Sequence, residues 1–210
     1  MKKTALLIVF LSLIQITYSQ TSEGMPASQS GRDLPYREIP DGYSETYTAG
    51  TVTARMLDGL GFRFYWATDS LRPEDLSFKP NEEARTSEQT VDHILGLVRI
   101  INNSANQRPN INETEYPELD FQGKRKVTLE LIKEAADIFR NSSTADFENY
   151  TIIFKNDNGQ SEFPFWNQLN GPIADALWHI GQVVSFRRSS GNPFASGADK
   201  PNVFTGKVSN

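Results

Sequence analysis

The chain has 210 residues and a formal net charge of −5, with 38% hydrophobic and 22% charged residues. This length and composition fit one soluble globular domain with a full hydrophobic core. The acidic balance argues against a broad basic surface, so we expect no nucleic-acid partner. The chain has no cysteine and only 2 histidines, which excludes disulfides, thiolate metal sites and a three-histidine site within one chain.

The N-terminal residues have the pattern of a secretory signal peptide. Lys2 and Lys3 precede an apolar run over residues 5–16, and Ser19 ends a small-residue cleavage motif. Such a run is too short for a comfortable membrane span, although a retained anchor is the alternative. We therefore predict that residues 1–19 are removed. The mature protein is then expected to be periplasmic or secreted, with no membrane attachment.

An irregular lead-in and a first helix are predicted next. Residues 20–43 are rich in Ser, Gly, Pro and charge, which is typical of irregular structure. Apolar residues then recur at helical spacing over about 45–68. They are Val52, Met56, Leu57, Leu60, Phe64 and Ala67. Residues 71–80 contain two prolines and are predicted to form a connector.

A second helix is predicted to begin at Thr86, because Thr86 and Gln89 have the spacing of a capping box. Its expected core stripe is Val91, Ile94, Leu95, Val98 and Ile101. After a polar loop over 102–122, a third helix is predicted over about 123–141. Its expected core stripe is Val127, Leu131, Ala135 and Ile138.

A β-hairpin is predicted before the last helix. Residues 150–154 are β-prone, residues 156–159 have turn chemistry, and Phe163 follows. The pattern as a whole predicts an all-α fold, an antiparallel four-helix bundle with this small hairpin inserted before the fourth helix.

The fourth helix has boundary signals at both ends. Asn170 is the expected cap before Pro172 at the first helical position. Gly191 is the expected residue just past the C-terminal end, and residues 194–210 form a polar tail. One apolar stripe of this helix needs cover from the hairpin or from a second subunit, so we predict a homodimer. The stripe consists of Ile173, Leu177, Ile180 and Val184.

Three side chains on the second and fourth helices have the chemistry of metal ligands. Asp175 precedes His179 by four residues, which places both on one helix face with Cβ atoms roughly 6 Å apart. His93 is the remaining histidine that can complete a three-ligand site. The alternative is a solvated face, because Asp175, His179 and Gln182 lie roughly opposite the apolar stripe.

Two segments resemble the DinB/YfiT-like superfamily. Residues 171–193, GPIADALWHIGQVVSFRRSSGNP, are similar to its last bundle helix, in which a His-x-x-x-His pair precedes a Gly-Gln step and arginines follow. Residues 78–80 (FKP), residues 86–88 (TSE) and His93 resemble its connector into the second helix. In the expected order, these matches cover most of residues 45–193.

The resemblance implies a four-helix bundle over residues 44–193 that holds a divalent metal through His93, Asp175 and His179. The family usually has histidine where this chain has Asp175. A carboxylate there shifts preference toward Fe, Mn or Ni relative to a three-imidazole site, and the expected ion is Zn, Ni, Fe or Mn. The substitution is also compatible with a site that has decayed.

The implied activity is a metal-dependent hydrolase that uses a metal-bound water on a small-molecule substrate of unknown identity. Gln182 is expected to hydrogen-bond a substrate or to orient a ligand, and helix packing is its alternative role. The nearby Glu82, Glu83 and Glu88 are interpreted as surface and helix-start charges. Three other functions stay open: an exported non-catalytic binding or stress protein with a degenerate metal site, a metal-dependent thiol transferase, and a two-histidine, one-carboxylate iron oxygenase.

Overall fold

The computed structural model describes residues 33–42, 44–111, 119–194 and 200–209, so the predicted signal peptide lies outside the described residues. The fold is mostly helical with small β-sheets. The α-helices are α1 (Ala49–Thr68), α2 (Pro73–Ser77), α3 (Ser87–Ala105), α4 (Phe121–Arg140), α5 (Trp166–Gln168) and α6 (Ala174–Ser189). A 3₁₀-helix spans Thr144–Glu148, and a π-helical turn over Leu169–Ile173 joins α5 to α6. The strands are β1 (Asn110–Ile111), β2 (Ile152–Asn156), β3 (Gly159–Phe163), β4 (Lys200–Asn202) and β5 (Lys207–Ser209).

The four long helices surround one hydrophobic core. Helix α1 packs against α4 and α6, and α3 packs against the same two helices. The core is filled mainly by aliphatic and aromatic side chains from all four helices. The largest fully buried ones include Leu57, Leu60, Phe64, Ile94, Ile101, Leu129, Ile132 and Phe139. Among the described residues, no helix combines the length and the apolar character needed to cross a membrane.

The predicted hairpin is confirmed, but the all-α prediction is only partly right. Strands β2 and β3 pair antiparallel, and Gly159 enters β3 at a φ of +140°. Strand β1 adds to β2 in parallel, which makes a three-stranded sheet. A second hairpin, β4–β5, lies in the segment predicted as a polar tail. Strands β1, β4 and β5 are two or three residues long, too short to show a period-two pattern in the sequence.

The second hairpin is fixed to the segment that leads into α1. The Ile39 amide donates to the Gly206 carbonyl at 2.8 Å, and Lys207 Nζ donates to the Ile39 carbonyl at 3.0 Å. Gly206 has a φ of +70°, and a Cβ there would lie 2.4 Å from Ile39 Cδ1. The turn of this hairpin therefore requires glycine both for its backbone conformation and for its close approach to Ile39.

The predicted start and core stripe of α3 are confirmed. Thr86 Oγ1 accepts from the Gln89 amide at 3.1 Å, and Gln89 Oε1 accepts from the Thr86 amide at 2.9 Å. This capping box satisfies two backbone donors that an uncapped helix start leaves free. All five residues of the predicted stripe are buried.

The stripes predicted for α1 and α4 need correction. Val52 and Met56 are 46% and 39% exposed, because they line a surface groove near Trp166 instead of facing another helix. On α4 the buried face lies beside the predicted stripe. It consists of Phe121, Arg125, Thr128, Leu129, Ile132, Ala135, Ala136 and Phe139. Two of these residues are polar. Apolar periodicity alone therefore predicts a buried face centred on Leu131 and Ile138, which are half-buried.

The predicted cap of the fourth helix is wrong, whereas its end is confirmed. Asn170 lies inside the π-helical turn, because the helical path already begins at α5. A kink at Gly171, with φ −95° and ψ −111°, precedes Pro172, which has no amide hydrogen to donate. At the other end, Gly191 follows the helix with a φ of +84°, as expected for a residue after the C-cap.

Two buried arginines bind the C-terminal end of α1. Arg187 of α6 donates through Nη1 to the carbonyls of Trp66 and Ala67 at 2.9 and 3.2 Å. Arg125 of α4 donates through Nη2 to the Tyr65 carbonyl at 3.2 Å. Helix ends leave such carbonyls without partners, and a cationic donor also suits the negative end of the helix dipole. The two arginines therefore tie α1, α4 and α6 together at one end.

Asp75 of α2 is the centre of a second hydrogen-bond network at the same end of the molecule. Its fully buried carboxylate accepts from the Arg72 backbone and guanidinium, from Ser190 Oγ at 2.6 Å and from Asn192 Nδ2 at 2.7 Å. The hydrogen bond from Arg72 is the main reason that the pKa of Asp75 is held well below its usual range. This carboxylate therefore fastens the connector after α1 to the residues after α6.

We predict that Asp75→Asn lowers the free energy of unfolding by about 2–4 kcal/mol at pH 7, because charged hydrogen bonds are lost and an amide NH₂ faces other donors. An acid with a lowered native pKa stabilises the fold above its unfolded pKa, and that contribution declines as the pH falls. The difference between wild type and Asp75→Asn should therefore shrink at pH 3. Urea unfolding at both pH values measures it. Asp157→Asn, in the exposed hairpin turn, is the control.

Candidate metal centre

The second and fourth long helices bring the three predicted ligands together. His93 lies on α3, two turns after its capped start, whereas Asp175 and His179 lie one turn apart at the start of α6. One ligand atom from each of the three residues can be chosen so that all lie within 4.8 Å of one another. The described residues contain no other group of three or more such side chains with this spacing.

Asp175 is the central member of the cluster. Its Oδ2 lies 3.3 Å from His93 Nε2, and its Oδ1 lies 3.3 Å from His179 Nε2. Both distances are longer than most hydrogen bonds. Two donor atoms bound at about 2.1 Å in a tetrahedral shell lie about 3.4 Å apart. Each of the two contacts therefore has about the length of one edge of such a shell, and each uses a different oxygen of Asp175.

The two imidazole rings contact each other directly. Their centroids are 4.5 Å apart and their planes are perpendicular. The side chains of His93, Asp175 and His179 are 31%, 41% and 15% exposed. The cluster therefore lies at the edge of the core, where solvent reaches it from one side. The alternative of a wholly solvated face does not describe it.

Gln182 orients His179. Its Oε1 lies 2.9 Å from His179 Nδ1. An amide oxygen only accepts hydrogen bonds, so this contact requires the proton on Nδ1, and in the neutral ring the lone pair is then on Nε2, which lies toward Asp175. Metal-binding histidines in proteins are commonly fixed in this way by an acceptor on the far nitrogen. Of the roles expected for Gln182, orienting a ligand is the one that its contact supports.

His93 is held in the form that binds metal. Burial is the main cause that lowers its pKa, and the nearby positive charge of Arg85 adds to this. The contact with Asp175 acts in the opposite direction and does not outweigh them. A lowered pKa keeps the imidazole neutral at neutral pH, and only a neutral imidazole is a ligand.

The glutamates near the site in sequence do not join the cluster. Glu82 is 94% exposed and pairs with Lys79, and Glu88 lies 3.9 Å from Lys124. Glu83 is exposed as well. Their interpretation as surface and helix-start charges is confirmed, and none of them belongs to the metal-ligand cluster.

Two residues that the sequence interpretation missed lie beside the cluster. Arg85 precedes the α3 cap and acts electrostatically on His93. Trp178 is 73% exposed and lies three residues after Asp175 and four before Gln182, so it borders the same face of α6. Nothing in the sequence singles out Trp178, because isolated exposed apolar side chains are common on protein surfaces.

The start of α6 is irregular where it supports the cluster. Asp175 lies two residues after Ile173, the last member of the π-helical turn. Ile173 is fully buried and anchors this turn in the core. π-Helical turns inside helices occur frequently at functional sites, because the extra residue redirects the side chains that follow.

No family model matches the chain, and no curated protein matches it either. The resemblance to the DinB/YfiT-like superfamily therefore stays a prediction. What the structure adds is that His93, Asp175 and His179 lie close enough together that they could hold a metal ion.

In the metal-free protein, we predict that His93 titrates below the usual histidine range. Arg85→Gln should raise the pKa of His93, because it removes a charge that opposes protonation, whereas Asp175→Asn should lower it further. Imidazole chemical shifts measured by NMR across pH 4–9 report this directly. Lys155→Gln, in the distant hairpin, serves as the control. An unchanged His93 pKa in Arg85→Gln would contradict the electrostatic explanation.

Proposed function

We propose that this protein is an exported, DinB/YfiT-like metal-binding protein that acts as a metal-dependent hydrolase. The single observation that carries the proposal is the convergence of His93, Asp175 and His179 from two helices at ligand spacing. The DinB-like assignment further rests on the order of the motifs along the chain. The mutual packing of the four long helices supports an antiparallel four-helix bundle.

The donor set suits a divalent transition metal. Two imidazole nitrogens and one carboxylate oxygen accept Zn, Ni, Fe or Mn, and the carboxylate favours the harder ions of this group. A divalent ion there would polarise a substrate and lower the pKa of a bound water to near neutrality. Three protein ligands leave at least one coordination position open, which is the usual difference between a catalytic and a structural site.

The protein's own residues would set the geometry of the reaction. Gln182 keeps the His179 ring oriented, and Asp175 faces both imidazoles. The partly exposed side of the cluster gives a small substrate access. Trp178, at the border of that side, offers an apolar face against which a substrate can pack.

Among the other functions, the non-catalytic metal protein is the one that a structural observation addresses. A site that only stabilises the fold is normally closed by four protein ligands and buried. Here the cluster has three ligand residues and Asp175 is 41% exposed. This openness favours catalysis. The donor set of two histidines and one carboxylate is also that of the iron oxygenase, so metal identity and oxygen consumption must separate it from the hydrolase. No contact of the described residues favours the thiol transferase.

Export and self-association complete the proposal. The signal-peptide pattern supports cleavage after residue 19 and a periplasmic or secreted location. The apolar stripe from which the homodimer was predicted has two buried and two half-buried residues. Ile173 and Ile180 are buried in the core, whereas Leu177 and Val184 are half-buried beside a surface groove. The homodimer stays a prediction.

We predict that the mature protein binds one divalent ion and that His179→Ala weakens binding by roughly 100-fold or more, because a ligand is removed. Asp175→Asn should weaken binding strongly. Asp175→His should shift preference from Fe, Mn and Ni toward Zn. Elemental analysis of tag-free protein and calorimetric titration with each metal measure these effects. Asp92→Asn removes an exposed charge beside His93 and is the matched control. Unchanged metal uptake in a folded His179→Ala variant would refute the site.

We predict metal-dependent hydrolysis of at least one class of activated ester, amide or phosphate ester. Activity in a panel of p-nitrophenyl and p-nitroanilide substrates should disappear on chelation and return with added metal. It should be absent from His179→Ala, whose circular dichroism spectrum must match that of wild type. Full metal occupancy without turnover of any class would favour the non-catalytic alternative.

A further inference from the structure

A second concave surface lies between α1 and α6, on the opposite flank of α6 from the metal-ligand cluster. Its volume is about 650 Å³, within the range of small-molecule sites. Its apolar lining includes Phe62, Leu177, Ile180, Val184 and Phe194. We call it the α1–α6 groove.

The groove and the metal-ligand cluster use different faces of the same helix. Leu177, Ile180 and Val184 recur at intervals of three and four residues, which places them on one side of α6. At about 100° per residue, Asp175 and His179 lie on the other side of its buried stripe. The groove is therefore a separate feature and does not depend on the metal.

The walls of the groove are held in place by contacts from outside it. The Phe194 ring lies under the Arg187 guanidinium, 4.6 Å from ring centroid to Cζ. Arg187 is itself fixed by the carbonyls at the end of α1. On the other wall, Trp66 Nε1 donates to the Arg37 carbonyl at 3.0 Å. A preformed pocket of this kind loses little conformational entropy when a ligand enters.

Three cations line the groove: Arg63, Arg188 and Lys200. Within the described part of the chain, none of the three has a carboxylate within salt-bridge distance. Arg63 Nη1 donates to the Gly59 carbonyl at 3.0 Å, which leaves its other donors for a ligand. In a chain with a net charge of −5, three such cations beside an apolar floor form a local positive potential that attracts anions.

We propose that the α1–α6 groove binds an amphipathic organic anion, with one carboxylate or sulfonate group on an extended apolar body. The apolar body would lie on the floor formed by the half-buried Leu177 and Val184, and the anionic group would pair with the cations. A second copy of this chain is a poorer occupant. A twofold interface through this groove would bring each set of three cations toward the identical set of the partner.

The test compares two ten-carbon ligands, one with an anionic carboxylate and one with an uncharged hydroxyl group. Calorimetric titration of the mature protein with decanoate should give binding in the micromolar range. Decanol, with the same chain length and no charge, should bind roughly 10-fold more weakly. Arg188→Gln should weaken decanoate binding about 5-fold, as expected for the loss of one exposed ion pair, and leave decanol binding unchanged. Val184→Ser should weaken the binding of both ligands.

Two controls separate this site from the metal centre and from general charge effects. Lys126→Gln removes an exposed cation on α4 and should not change decanoate binding. His179→Ala should not change it either, because the groove does not use the metal ligands. Equal affinity for decanoate and decanol, or no effect of Arg188→Gln, would overturn the proposal. A doubled mass by light scattering together with no decanoate binding would identify the groove as a dimer interface and overturn it as well.

Discussion

The C-terminal end of α1 is the point on which the arrangement of the long helices depends. Its last carbonyls are buried, and a buried carbonyl without a donor is costly. Arg125 and Arg187 supply the donors, one from each of the two helices that pack against α1. Arg187 also fixes the position of α6 relative to α1. The Asp75 network holds the segment after α6 at the same end. Helix α6 therefore has a defined position. The metal-ligand cluster on one flank and the α1–α6 groove on the other both depend on that position.

Local patterns predicted the parts of the fold that depend on neighbouring residues. The capping box of Thr86 and Gln89 needs only four consecutive positions, and the core stripe of α3 is uniformly apolar. The buried face of α4 was misplaced because Arg125 and Thr128 belong to it. Arg125 is buried only because the end of α1, about 60 positions earlier, offers acceptors. Nothing in the sequence near a polar residue indicates such a distant partner.

The sequence predicted the three ligand residues of the candidate site but not how Gln182 and Arg85 act on them. The spacing of Asp175 and His179 fixes a shared helix face, and only one other histidine remained to complete the set. The bond between Gln182 and His179 depends on side-chain rotamers, which spacing does not determine. The influence of Arg85 on His93 depends on how the chain enters α3. The cap expected at Asn170 failed because the helical path starts further upstream than the local signals indicate.

The π-helical turn over Leu169–Ile173 has a consequence for how this chain can change length. A π turn contains one residue more than an α-helical turn. Loss of that residue rotates whatever precedes it by about 100° and shifts it by about 1.5 Å along the axis. The four-residue interval between Asp175 and His179 is unaffected, because both lie after the turn. A change of length at this turn therefore alters how α5 leads into α6, whereas the spacing of the two ligand residues is retained.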